Sequence, residues 1–462
     1  MLLLIAILGG LLFMMGQHDR SESLFYYFRL EDHIPENHLL RLIDRHVDFS
    51  FVRKILRESY SETGRPSVDP EVLLRILLIG YLYGITSERK LIEELRMHLA
   101  WRWFTGLGFD QEIPHHSTFS KNRHGRFQES GLFQELFERI VDQCVHAGLV
   151  QGEHMSVDGS FIQADATNGS RIPREQLAEA AQVNRTVREF LAEVEEQNRS
   201  GEPEPVHEQE KVSTTDPDAT YFSKGNMFAT LGYFDNYLVD NASCVIVGVK
   251  GTGARMSQES ASAREMIFAF HQRYGHYPQS LAADTAYGNA QMLHWLLERE
   301  ITPYMPVKES PHPDEFYGID KFTYEPECDR YICPQGKTLN HVHTKNNRDA
   351  YHSTEKKCRN CPIKSQCTAG QHRVVSLHVH DEDRRRTRAL AKTPEYAKAV
   401  RARRKVEALF AELKNRIGLR RLRLRRMKFV REQFYLAAAV QNMKRLVRYL
   451  AKPITPPALA TA

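Results

Sequence analysis

The stretch MSVDGSFIQADA, residues 155–166, changes the period of the chain from helical to alternating. Met155 and Val157 alternate with Ser156, Asp158 and Ser160, which predicts a strand with one apolar and one polar edge. Asp158 falls on the polar edge. A second acid, Asp284, ends the short apolar run Leu281-Ala282-Ala283. That places it at the carboxyl end of another strand, where open α/β sheets usually put their ligands.

Upstream of residue 127 the pattern is helical, with apolar residues at three and four spacing in Leu39, Leu40, Ile43 and in Val72, Leu73, Ile76, Leu77. Asp69-Pro70 supplies an N-cap and a first-turn proline, and Gly84 followed by Thr86-Ser87 reads as a stop and a new start. Two short helices joined by a tight turn fit a helix-turn-helix that grips DNA, and equally a pair that only packs. Downstream, residues 173–198 read as a charged helix and 198–217 as a polar, proline-bearing connection. Strands follow at 227–239 and 242–249, with Asp240-Asn241 as the turn between them. A helix at 257–274, the Asp284 strand, a helix at 290–300 and a strand at 302–307 come next, before a Cys-rich stretch and a basic helical tail. This order predicts an α/β fold, a mixed sheet with helices on its faces.

The chain has 462 residues, 42% of them hydrophobic, enough for two or three domains. Its net charge of +5 is unevenly spread: residues 401–450 hold 16 Lys/Arg against 3 Asp/Glu. A local surplus of that size suits a polyanionic partner, although such a run is also what a solvated helix face looks like. The apolar segment MLLLIAILGGLLFMM, residues 1–15, is short for a membrane span and lacks the flanks of a signal peptide. It reads as an apolar leader over residues 1–16, either upstream sequence that is not translated, with Met14 or Met15 as the start, or, less in keeping with its flanks, an anchor or signal; no membrane partner is expected.

Cleavage of a phosphodiester with two metal ions needs acidic oxygens from separate elements converging on one point. A third acid must therefore come from a late element. Glu407 is placed on a helix whose Val406, Leu409, Phe410, Leu413 and Ile417 would face the sheet. At 100° per residue Arg403 lies about 40° and Lys414 about 20° from Glu407, whereas the competing Glu412 is rotated about 140° away. Two cations beside a carboxylate fit a site that holds a metal and a phosphate together. A plain Arg403–Glu407 helix ion pair would give the same pattern.

The segments IPENHLLRLIDRHVDFSFV (34–52), GRPSVDPEVLLRILLIGYLYGITSER (64–89), HSTFSKNRHGRF (116–127), SVDGSFIQADA (156–166), TDPDA (215–219), ADTAYG (283–288), CPQG (333–336), CRNCPIKSQC (358–367) and VEALFAELKNRIGLRR (406–421) occur in order along nearly the whole chain. In this ordered set the sequence resembles the DDE transposases of bacterial insertion sequences, in the group numbered eleven eighty-two and allied to the IS-four and IS-five types. The resemblance implies an RNase H-like catalytic core, an all-α N-terminal DNA-binding domain, and a triad at Asp158, Asp284 and Glu407 that binds Mg²⁺ or Mn²⁺. It implies cleavage at the element's ends and joining of the 3′-hydroxyl to target DNA by a homodimer in the DNA complex, in the bacterial cytoplasm at the nucleoid. A nuclease that cuts without joining and an inactive DNA-binding relic are the alternatives. Related transposases carry a Tyr, Arg, Glu, Lys pattern around the last acid. Arg403, Glu407 and Lys414 match its last three members, but Val400 stands where the tyrosine belongs, Tyr396 is one turn earlier, and no role is carried to it. His115 stands where relatives commonly have Asp.

DNA contacts are expected from Arg403, Lys414, Arg420, Arg421, Arg425 and Arg426, with steeply salt-dependent binding. Five of the seven cysteines fall between residues 328 and 367. Cys333, Cys358, Cys361 and Cys367 suit a closed structural Zn²⁺ site, with Cys328, His341, His343 and His352 as further candidate ligands; free thiols packing a small subdomain or a redox pair are the other readings. The expected division is 17–150 helical DNA-binding domain, 151–308 first part of the core, 309–380 Cys-rich insert, 381–450 last part of the core with basic helices, and 451–462 tail.

Overall fold

The computed structural model describes residues 27–451 except 62, 64–66, 201–209, 224–227, 255 and 309–315. The apolar leader and most of the tail lie outside the described residues.

The N-terminal region is helical from Leu39–His46 to Leu132–His146. Asp69 caps Pro70–Leu82 by accepting from the Glu71 amide at 2.9 Å, with Pro70 in the first turn. Ser87 caps Glu88–Met97 in the same way. Between them Gly84 takes φ +71°, and a Cβ there would lie 2.2 Å from the Arg416 carbonyl oxygen. Only glycine supplies both the left-handed turn and that close approach. Nearly all of Pro70–Leu82 is buried, because this helix packs on Met427–Leu450 as well as on its own neighbours.

The central sheet has six strands: β1 (His154–Gln163), β2 (Thr220–Phe222), β3 (Thr230–Asp240), β4 (Ile246–Gly253), β5 (Ser280–Ala282) and β6 (Thr302–Tyr304). Antiparallel β3 flanks β1 on one side, with β4 and β2 beyond it; parallel β5 and then β6 lie on the other. The strand boundaries differ from the sequence expectation. β3 starts at Thr230, and residues 224–227 are not among the described ones. β4 starts at Ile246, four residues late, because Asp240 accepts from the amide and hydroxyl of Ser243 and builds a longer turn in which Cys244 has φ 62°. The charged helix is two, Leu177–Val183 and Arg185–Ser200, broken at Asn184, whose side chain caps the second at the Val187 amide. Pro173 belongs to a short strand, Arg171–Pro173, paired with Lys211–Ser213.

Both faces of the sheet are covered. Met266 of Met256–Tyr274 packs at Gly248, beside Leu238, while on the opposite face Phe410 of Pro394–Asn415 stacks on Tyr237, ring centroids 4.6 Å apart. Met427–Leu450 lies against β4 on that second face and against Leu132–His146 of the N-terminal helices. One apolar core consequently runs from Ile34 to Val447, each fully buried Leu, Ile or Phe adding about 1.5–3 kcal/mol. Residues 323–378 form a separate five-stranded antiparallel sheet over its own small core of Phe322, Tyr331, Leu339, Tyr351, Cys367 and Val375. Arg384 donates to the Lys308 carbonyl at 2.8 Å and so ties the two ends of that unit together. Among the described residues, no helix is long and apolar enough to cross a membrane.

Candidate active site

Asp158 sits in the middle of β1, where the polar edge emerges from the core. Ser156, two residues earlier on the same polar face, is fully buried and donates to the Asn241 side chain at 2.6 Å, so that face opens only from Asp158 onward. Asp284 lies just past β5. Its Oδ1 accepts from the Ala286 amide at 2.8 Å, which fixes the turn after the strand. Gly288 completes that turn: a Cβ there would lie 1.9 Å from the Pro306 carbonyl oxygen, and Lys308 donates to the Gly288 carbonyl at 2.8 Å. Glu407 projects from Pro394–Asn415, whose Val406, Leu409, Phe410 and Leu413 are buried against the sheet.

These three acids line one open cleft of about 440 Å³ together with Gly159, Ser160, Arg403, Phe410, Ala411 and Lys414. Arg403 joins two of them, Nη1 at 3.0 Å from Asp158 Oδ2 and Nη2 at 3.3 Å from Glu407 Oε1. Burial, and next the neighbouring Asp284, push the Asp158 carboxyl up to about 6 against the pull of Arg403. Glu407, with its side chain 56% exposed, is open to a ligand from solution. Glu412 points elsewhere: it takes Arg445 at 3.1 Å, Lys444 at 3.3 Å and the Gln441 amide at 3.3 Å. Burial alone would raise its pKa, but Arg445 and Lys444 hold it low. It ties two helices together.

The donor set fits a hard divalent cation: carboxylate oxygens from three separate elements around a cleft that is open on one side. The acids do not close on one point in this arrangement. Among the described residues the set of three ligand atoms lying within 4.8 Å of one another is His294, His380 and Asp383.

The other expected residues fall in different places. Arg421 and Arg425, about half exposed, each reach Asp165 at 3.0 Å, and Arg420 bonds the Asn415 side chain. Arg426 is buried, with Glu193 at 2.6 Å and Asp218 at 2.9 Å. Its amide donates to Asp216 and that of Met427 to Asp218, so the TDPDA segment caps the last helix. That departs from the expectation of a DNA-facing arginine. Tyr396 shares the helix with Arg403, which draws its phenol pKa down against the larger effect of burial. His115 does the work an Asp would do there, accepting from the Ser117 amide at 3.3 Å as the cap of His116–Gly125.

All seven cysteines are free thiols. Burial raises the pKa of Cys367, and Cys358, Cys333 and Cys361 add to it, so the four lie near each other. Their sulfurs are not among the sets within 4.8 Å.

Two residues at the site carry no assignment from the sequence. Asp235 of β3 is fully buried and pairs in register with Ser160, which lines the cleft. Burial drives its pKa well up, with the Tyr237 hydroxyl and then Lys414 opposing. Tyr287, inside the ADTAYG segment, is buried, and its pKa is raised by burial, then by Glu259, Asp158 and Asp284. The available signal for Asp235 was a charge inside an otherwise apolar strand.

Residues 28–125 match the family model described as Transposase domain (DUF772), and residues 332–447 match the one described as Transposase DDE domain. The matches support a transposase. More narrowly, they support a DDE transposase. A comparison with curated proteins found no match. Among solved structures, a piggyBac transposase synaptic complex with hairpin DNA, determined by cryo-EM, aligns at 9% identity and a TM-score of 0.34 over 90% of this chain and 82% of that one. At that TM-score the likeness carries no argument.

Proposed function

We propose that this chain cuts the phosphodiester at the ends of an insertion sequence and joins the freed 3′-hydroxyl to target DNA, with Asp158, Asp284 and Glu407 as its metal-holding acids. The observation that carries the reading is the convergence of these acids from β1, the end of β5 and Pro394–Asn415 on one open cleft that also holds Arg403 and Lys414. The sheet supports an RNase H-like core: an antiparallel partner on one side of β1 and two parallel strands on the other, with the helices of the N-terminal region as a DNA-binding domain.

Bound between the carboxylates, Mg²⁺ or Mn²⁺ would supply Lewis acidity for attack on phosphorus and for departure of the leaving oxygen. Asp158 and Asp284, on rigid backbone, fix the position of the charge. Glu407 completes the set from the open side. Arg403 and Lys414 face the same cleft and hold the phosphate of the strand being cut. Arg420, Arg421 and Arg425 extend the cationic surface along the DNA backbone. Two ends of one element are served most simply by two copies of the chain related by a twofold axis.

The test is a duplex carrying the ends of the element around the gene, incubated with purified protein and Mg²⁺. Nicked 3′-ends that reappear joined to target DNA support the reading. Nicked ends that are never joined would leave a nuclease.

A further inference from the structure

Away from the cleft, His294 at the end of Ala290–Leu297 faces the point where the Cys-rich unit returns to the core. Its Nδ1 is 2.8 Å from Oδ2 of Asp383, in the first turn of Asp381–Leu390. The ring of His380, just before that helix, stacks on it with centroids 3.6 Å apart and planes within 10°. Donor atoms of all three residues lie within 4.8 Å of one another. No hydrogen bond reaches the His380 ring nitrogens among the described residues.

Glu298 Oε1 stands 3.2 Å from His294 Nε2. A carboxylate at that nitrogen favours the tautomer protonated there, as the outer partners of metal-bound histidines do. Nδ1 also faces a carboxylate that can only accept, so a proton on Nδ1 bridges the 2.8 Å gap to Asp383 and a cation would take that proton's place.

We propose that His294, His380 and Asp383 bind a transition-metal dication of the Zn²⁺ class, and that the ion fastens the base of the Cys-rich unit to the core. Two imidazoles and one carboxylate form a borderline donor set, suited to Zn²⁺ and not to Mg²⁺. Ligands about 2.0–2.1 Å from a tetrahedral ion lie roughly 3.4 Å apart, so the His294–Asp383 pair at 2.8 Å must open a little while the His380 nitrogen, within 4.8 Å of both, swings to complete the set by rotation of its side chain. His380 follows the last strand of the unit, Val374–His378, and Arg384 on the next turn already holds the Lys308 carbonyl. An ion here therefore pins both ends of the unit against Ala290–Leu297. The site is independent of the DNA-cleaving reading and stands whether or not the chain cuts DNA.

The experiment is a competitive Zn²⁺ titration of the full-length protein against a chromophoric chelator, in parallel with His380→Gln and Asp383→Asn, each checked for wild-type near-UV circular dichroism. A Cys358→Ser/Cys361→Ser protein runs alongside to separate any thiol-bound zinc. Each of the two site variants is expected to bind one Zn²⁺ equivalent fewer than wild type and to lose the rise in Tm that Zn²⁺ gives wild type and the cysteine variant. Equal stoichiometry and an equal Tm rise in wild type and both site variants would overturn the proposal.

Discussion

The Arg403 guanidinium stands 3.0 Å from the Asp158 carboxylate and reaches Glu407 with its other nitrogen. A divalent cation held by these acids would share carboxylate oxygens with the guanidinium, so the two would compete. Arg403→Ala should hold Mn²⁺ at least as tightly as wild type, measured by titration, yet nick DNA about a hundredfold more slowly for want of a phosphate-stabilising charge. Weaker Mn²⁺ binding in the variant would show that Arg403 organises the metal site and does not compete with it.

Burial and then the neighbouring Asp284 push the Asp158 carboxyl up to about 6, from an ordinary value of 3.8. Its folded pKa is raised, so the charged form is the disfavoured one: the penalty is absent below the unfolded pKa, grows between about pH 4 and 6, and is complete above 6. The shift amounts to about 3 kcal/mol. Asp158→Asn should therefore raise Tm at pH 7.5 in a chelator, with little gain at pH 4, while abolishing nicking. Wild-type nicking should fall as pH drops through 6. A variant less stable than wild type at pH 7.5 would count against this electrostatic account.

Glu407 and Glu412 should separate cleanly. Glu412→Gln leaves Lys444 and Arg445 with a weaker partner and is expected to cost on the order of 1–3 kcal/mol in urea unfolding with nicking retained. Glu407→Gln should leave stability within about 0.5 kcal/mol and remove nicking. Interchanged results would move the third acid to Glu412.

The arginines divide in the same manner. Arg421→Ala and Arg425→Ala, on the exposed side of Asp165, should each lower DNA affinity and reduce the salt slope by about 1. Arg426→Ala strands Glu193 and Asp218 and should appear in thermal unfolding, at about 3–5 kcal/mol. A salt slope that changes only with Arg426 would place the DNA surface on the opposite side of this loop.

Much of this arrangement was legible where local chemistry decides structure. Asp69-Pro70 and Ser87 set their helix starts, and the alternation at 155–160 gave β1 its face. The spacing of Arg403, Glu407 and Lys414 separated Glu407 from Glu412 because a helix turns by a fixed angle. What escaped depends on contacts far apart in sequence. Arg426 read as surface because composition cannot show that Asp216, Asp218 and Glu193 surround it. The polar edge gave no sign that Ser156 is covered, because Asn241, far along the chain, is what it bonds. Asp235 went unnoticed because only the register with Ser160 brings it to the cleft.

The most direct measurement is nicking of a duplex bearing the element's ends by purified wild type, Asp284→Asn and Glu407→Gln, with and without Mg²⁺. The account predicts Mg²⁺-dependent 3′-hydroxyl ends with wild type and a loss of at least about a thousandfold in each variant. Nicking that persists in either variant, or without a divalent cation, would contradict the assignment of these acids.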